Sequence, residues 1–384
     1  TLANAALLFG VQGKTGFSML DLQGNLSALS EDPFSLDWLN GEPLAGLVGF
    51  APQSLAGKNS FLWLRSDGSA LHIFAQPFNL IQGVAGDPFG GVWWIETPQI
   101  GLDFWQLWQY NPASNRIVLR LKGSSNFLPS VEGAARQSIA PVLVALKPAR
   151  LGDYSQVTLF LDSFDPISQQ MHTGFFKVDL LMKENNAPAE VRTPPQRLLG
   201  AGSYRNTPKL NSSGTQVSYL AFENSQPSLT SAASKPPNQV NLLALEGESA
   251  GKTRTVFTNE TRFDFLGPNL EWIDDTQLLV VRSRFAAGGS STVDRIAVSK
   301  IQVGDGQNGS EATSSGFVVT SGNRLLDVAA CREDRNVLVL VAEADGSRQL
   351  LRWDGTTDPT SVITLSEPVD DLFACWKAPA ESSQ

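Results

Sequence analysis

Short apolar segments alternate with tight polar turns along the whole chain. Seven times, a segment ending near Trp, Cys or a small residue is followed after such a turn by a strongly β-branched segment. That cadence predicts strands joined by hairpins, repeated as one supersecondary unit. The clearest register comes from SLDWLNGEPLAGLVGF at Ser35, NLEWIDDTQLLVVRS at Asn269, VAACREDRNVLVLVA at Val328 and LFACWKAP at Leu372. In the first three, Trp38, Trp272 and Cys331 each precede the first apolar residue of the next strand (Leu44, Leu278, Val337) by six positions, which implies a common hairpin.

A fifth segment, NTPKLNSSGTQVSYLAFEN from Asn206, places Leu210 at the corresponding position with one more residue in the turn. Two further units keep the rhythm without the marker, with Ala85 and Ala145 on their inner strands. The markers then fall at 38, 85, 145, 210, 272, 331 and 375, with steps of 47, 60, 65, 62, 59 and 44. A four-stranded propeller blade takes about 40–50 residues, so the longer steps imply extended loops. After Cys375 only nine residues remain, too few for three more strands. At the other end AALLFGVQ, GFSMLDLQ and NLSALS, between Ala5 and Ser30, read as second, third and outer strands lacking a first. The predicted fold is all-β, a seven-bladed β-propeller over 1–384 as a single domain. It is closed by pairing the C-terminal inner strand with the N-terminal strands, which removes exposed sheet edges. An open pair of β-sandwiches leaves the orphan strands at both ends unexplained.

The segment at Asn206 resembles the WD40-like repeat of TolB-type propellers: a Pro, an apolar residue, a Ser-Pro-Asp-Gly-like turn, then a strand. Here the turn reads Asn211-Ser212-Ser213-Gly214, without the Pro and Asp of that pattern. Trp353-Asp354 closes a third strand where WD40 repeats carry their namesake dipeptide. The resemblance implies a periplasmic setting and a protein partner gripped at a channel mouth. TolB itself carries an extra α/β domain for which this chain has no room.

Composition narrows the function classes. Charged residues are 17% and hydrophobic ones 42%, enough apolar surface for a sizeable core. Gly 33 and Pro 22, with many Ser, Thr and Asn, supply turns throughout. A net charge of −9 argues against nucleic-acid binding, which needs a basic stripe. The longest apolar stretch near the start, Ala5 to Val11, is far below the roughly 20 residues of a membrane span. The acidic, Lys-poor composition and the start at Thr1 fit a periplasmic or secreted protein; removal of a signal peptide and simple trimming both give such a start.

Only Cys331 and Cys375 are present. They occupy equivalent places in adjacent inner strands, and burial as two small hydrophobic residues is the preferred reading over a disulfide. Asn25, Asn211, Asn259 and Asn308 each open an N-x-[ST] sequon, a pattern frequent by chance in a Ser/Thr-rich chain.

Candidate chemistry is sparse. Six of nine tryptophans lie between Trp38 and Trp108, where blade packing explains them better than an aromatic ligand platform. Propeller ligands meet loops joining second to third strands and one blade to the next; here these include Ser124 to Gln137, Glu223 to Asn238 and Arg284 to Thr292. The inner-strand carboxylates form the one plausible constellation and are the channel-mouth binding candidates: Asp37 and Glu271 beside marker tryptophans, Asp327 and Asp371 four residues before the marker cysteines. Together they could hold a divalent cation or divide into an acid and a base, although carboxylates at a wet entrance are more often simply hydrated. His72, on an outer strand, and His172 stand near no Gly-x-Ser-x-Gly elbow, and no phosphate or dinucleotide loop occurs. No catalytic residue is assigned and no cofactor is expected; the metal question stays open.

The preferred functional expectation is a non-catalytic binding or scaffold propeller of the bacterial cell envelope. It engages a protein partner at a channel mouth, including within an envelope or membrane complex. The alternative is a propeller hydrolase or lyase acting on a carbohydrate or lactone through inner-strand carboxylates.

Overall fold

The computed structural model of the protein describes residues 5–11, 17–21, 25–30, 35–38, 47–50, 60–64, 70–87, 91–99, 104–124, 126–129, 140–150, 153–164, 172–184, 186–200, 203–204, 206–221, 237–259, 265–285, 293–303, 314–319, 323–331, 334–365 and 369–375. Its regular structure there is all β. The N-terminal strands are β1 (Ala5–Val11), β2 (Phe17–Asp21) and β3 (Leu26–Ser30). Four-strand groups follow: β4 (Ser35–Trp38), β5 (Leu47–Phe50), β6 (Ser60–Leu64) and β7 (Ala70–Phe74), then β8 (Asn79–Gly86), β9 (Val92–Pro98), β10 (Phe104–Asn111) and β11 (Arg116–Ser124). Next come β12 (Ala140–Arg150), β13 (Asp153–Phe164), β14 (His172–Leu181), β15 (Glu190–Val191) and β16 (Gln196–Leu199). After them run β17 (Lys209–Leu210), β18 (Gln216–Ala221), β19 (Gln239–Ala244) and β20 (Thr253–Thr258), then β21 (Phe265–Asp274), β22 (Gln277–Phe285), β23 (Val293–Gln302) and β24 (Ser314–Val318). The last are β25 (Arg324–Cys331), β26 (Asn336–Ala342), β27 (Arg348–Trp353), β28 (Thr360–Leu365) and β29 (Val369–Cys375). All seven markers lie on first strands of these groups. Among the described residues no helix is long and apolar enough to cross a membrane.

Each internal group is an antiparallel meander: β4-β5-β6-β7, β8-β9-β10-β11, β12-β13-β14-β15 with β16 also on β14, β17-β18-β19-β20 and β21-β22-β23-β24. The remaining sheet has eight strands in the order β28-β27-β26-β25-β29-β1-β2-β3. Its two halves are again meanders of four, joined by a single parallel bridge, Cys331 opposite Cys375. The C-terminal strand therefore does pair with the N-terminal one, Leu7 opposite Cys375 and Phe9 opposite Leu372.

Two compact units divide the chain. One comprises Leu36–Leu210 and Asn224–Lys235, the other Thr1–Ser35, Asn211–Glu223 and Pro236–Gln384. Within the first, sheets stack by burying large side chains face to face. Trp94 of β9 and Trp63 of β6 share one apolar cluster, and Trp93 and Trp105 share another with Leu159 and Phe176 of the following sheet. Phe61 meets Trp94 edge-on at 5.5 Å, and Trp63 meets Tyr110 likewise at 5.5 Å. Trp93, Trp94 and Trp105 are buried, so these rings are core. First strands β8 and β12 approach so closely that a Cβ on Gly83, at φ +81, would lie 2.2 Å from the Leu143 carbonyl oxygen. Glycine is the residue that the bulge between Ile81 and Val84 admits.

In the second unit the same stacking joins Val240 and Leu242 to Leu270, Trp272 and Leu278, and Ile273 and Val281 to Val328, Val337 and Trp353. Cys331 and Cys375 correct the expectation of unbonded thiols: they form a buried disulfide, with Cα atoms 4.8 Å apart. The adjacency expected from the sequence holds, and equivalent positions on neighbouring first strands bring the two sulfurs within bonding distance.

Candidate functional site

An antiparallel meander of four has two distinct ends. At one, hairpins join first to second and third to fourth strands; we call this the turn end. At the other, second strands pass to third strands and fourth strands leave for the next group; we call this the crossover end.

The turn ends carry structural polar networks. Asp87, buried in the turn after β8, accepts hydrogen bonds at Oδ1 from Gly91 N (2.7 Å) and at Oδ2 from Trp93 Nε1 (2.9 Å) and Gln109 Nε2 (3.2 Å). A Cβ on Gly91 would sit 2.1 Å from Asp87 Oδ2, so the turn needs glycine there. Gln109 Oε1 accepts from Arg120 Nε at 2.8 Å, and Arg120 donates onward to Ala187 O at 2.7 Å. Burial lowers the Arg120 pKa to about 10, partly opposed by Asp87.

In the second unit, turns grip one another in series. Ser213 N donates to Asp275 Oδ1 at 2.9 Å, and Arg335 pairs with Asp274 at 2.9 Å. Lys300 Nζ donates to the carbonyls of Arg335 (2.5 Å) and Asp354 (2.7 Å). Burial lowers the Lys300 pKa against the pull of Asp354, Asp334 and Asp274. The Asn211-Ser212-Ser213-Gly214 turn works without Pro or Asp because Asn211 Oδ1 accepts from Thr215 N and Gln216 N, each at 2.9 Å, with Gly214 at φ 66.

The crossover ends hold the carboxylates that the sequence reading missed. Glu96, two residues before the end of β9 and 1% exposed, accepts from Gln76 N (2.9 Å), Asn79 Nδ2 (3.1 Å) and Trp94 Nε1 (2.9 Å). Asp162 takes the matching place on β13. Its Oδ1 accepts from Tyr204 OH at 2.6 Å and from Ser163 N at 2.9 Å. Burial, then the Asp162 charge and hydrogen bond, raise the Tyr204 pKa well above its ordinary value. Ser163 Oγ donates to Gly174 O at 2.8 Å and lies 2.8 Å from Thr173 Oγ1; its one proton being spent on Gly174, Thr173 donates to it. Both carboxylates fasten segments that lead between strand groups, so the crossover end of this unit is pre-shaped. The available signal was an acidic residue placed directly after an apolar run near the end of a second strand, in VWWIE and in LFLD.

The four sequence-predicted residues fare differently. Asp37 lies on β4 and Asp371 on β29, but their side chains fall outside the described residues. Glu271 is half-buried on β21, opposite Leu279. Asp327, half-buried on β25, accepts from Val328 N at Oδ1 and from Leu372 N at Oδ2, each at 2.8 Å. Asp327 is thus brought against the strand that carries Asp371, and its carboxylate ties backbone to backbone. His72 is exposed on the outer strand β7; the His172 side chain and most of the three proposed loops lie outside the described residues. Among the described residues no group of three or more His, Cys, Asp and Glu could hold a metal ion.

No protein-family model matches this sequence, and no curated protein matches it. Solved structures do. A candidate 6-phosphogluconolactonase of Bacteroides fragilis matches with a TM-score of 0.51 and 13% identity over 96% of both chains. A second, from Bacteroides uniformis, matches with a TM-score of 0.50 and 11% identity over 96% of this chain and 98% of its own. An oligogalacturonate lyase in complex with manganese reaches 0.48 at 10% identity, over 92% of this chain and 83% of its own. At such identities the likeness concerns the fold, which is shared with β-propeller proteins.

Proposed function

We propose that the seven groups of four strands are blades of one ring sealed by the β29–β1 pairing, and that this ring acts on a sugar-derived lactone or related carbohydrate at its crossover end. The observation that carries the reading is end-to-end correspondence with two candidate lactonases, whose chains align with this one over 96% and 98% of their length. That candidate activity is assigned to chains that align with this one almost end to end. The pre-shaped crossover end, fixed by Glu96 and Asp162, supplies a rigid frame for it. Hydrolysis of glucono-δ-lactone and 6-phosphogluconolactone, followed by proton release, together with cleavage of uronate oligomers, tests the proposal. Rates equal to buffer alone for every substrate would refute it.

A second reading, a non-catalytic binding ring with an envelope protein partner, is favoured by Asp327, whose carboxylate holds Leu372 N instead of facing a substrate. Gentle pull-down from envelope extracts tests it. Under both readings the protein resides outside the cytoplasm, where the Cys331–Cys375 disulfide persists.

A further inference from the structure

We propose that the Phe78 ring is a preorganised stacking platform for a neutral sugar ring, an inference that rests on the carbohydrate reading above. Phe78 lies in the segment between β7 and β8, at the crossover end. Its backbone is left-handed, φ 65, a region that favours glycine or asparagine and strains a bulky residue. Nothing gained by burial offsets that strain, because the side chain is 83% exposed.

The segment is nevertheless held firmly. Asn79 N donates to Gln76 O at 2.9 Å, closing the turn, and Gln99 N donates to Phe78 O at 2.8 Å. Gln76 N and Asn79 Nδ2 both reach buried Glu96. One carboxylate therefore fastens both ends of the turn and presents an aromatic ring to water. β7, which leads into the turn, ends in Phe74, 65% exposed, its ring 4.2 Å from that of His72.

The chemistry suits a polyhydroxy ring. An aromatic face, negative over its centre, attracts the polarised C–H groups of a sugar, and two exposed residues with carboxamide side chains, Gln76 and Gln99, are bonded through their backbones to the same turn. Glu96, the charged group at the turn, is spent internally.

The test compares the full chain with Phe78→Gly and Phe78→Trp, using ligand-observed NMR and calorimetry with glucono-δ-lactone, glucose and neutral galactose oligomers, alongside thermal unfolding. Phe78→Gly relieves the backbone strain while deleting the ring, so its unfolding midpoint should hold or rise while affinity falls tenfold or more; Phe78→Trp should retain binding. A wild-type chain that binds a sugar, with Phe78→Gly binding equally well, overturns this inference and leaves the carbohydrate reading standing. A wild-type chain that neither binds nor turns over any of the panel overturns both.

Discussion

Asp327 Oδ2 accepts a hydrogen bond from Leu372 N at 2.8 Å, adding to the one parallel bridge and the Cys331–Cys375 disulfide that join the same two first strands. Parallel neighbours with a single bridge leave backbone donors that need partners, and a carboxylate supplies one.

Replacing Asp327 with Ala should therefore cost about 1–3 kcal/mol by leaving Leu372 N without its acceptor. Urea unfolding measures this. A loss of ligand turnover with unchanged stability would instead return Asp327 to the ligand-binding role.

The Cys331–Cys375 disulfide closes a loop of 44 residues, for which the chain-entropy relation gives about 4 kcal/mol. The Cys331→Ser/Cys375→Ser variant, or the reduced protein, should unfold at correspondingly lower denaturant. Hydrogen exchange should quicken first in β29 and β1, where the latch acts.

Alkaline pH should destabilise the fold through Tyr204. Its folded pKa is raised by burial and by Asp162, so the protonated phenol is favoured in the folded state. That stability is complete below the ordinary tyrosine value, about 10, and is lost as pH climbs toward the folded value. Tyr219, raised chiefly by burial, acts in the same sense. Tyr204→Phe should flatten the alkaline fall while costing about 1.5–3 kcal/mol at neutral pH for the lost bond to the Asp162 carboxylate. Stability curves for the two proteins between pH 7 and 11 decide it; coincident alkaline slopes would remove Tyr204 from the account.

Gly83→Ala combines a left-handed backbone with a Cβ 2.2 Å from Leu143 O. Backbone cannot yield as a side chain tip does, so a loss above about 2 kcal/mol is expected. Thermal unfolding of the variant, with Gly247→Ala as a control for φ alone, separates strain from collision, since nothing lies within 4 Å of a Cβ at Gly247.

The strand plan was legible because first strands repeat a local pattern. Trp272 and Cys331 stand near the ends of β21 and β25, with Leu278 and Val337 opening the buried runs of β22 and β26. The orphan strands at both ends announced the β1–β29 pairing, since a meander that lacks one strand must borrow it. The candidate site was less legible. Inner-strand position suggested that Asp327 faces a channel, but a side chain's partner depends on the neighbouring strand's register, which places Leu372 N within its reach.

Alternation of apolar strands and turn residues by itself determined that this chain folds as repeated antiparallel meanders, because hydrophobic period and turn chemistry are local, and the count of strands left over at each end pointed to their sharing a sheet. Tertiary structure alone decided that Cys331 bonds Cys375, that Glu96 and Asp162 fasten the crossover segments, and that Phe78 is held strained in water. Each of those depends on atoms brought together from different strands and turns, where distance and burial, rather than residue type, fix what a side chain does.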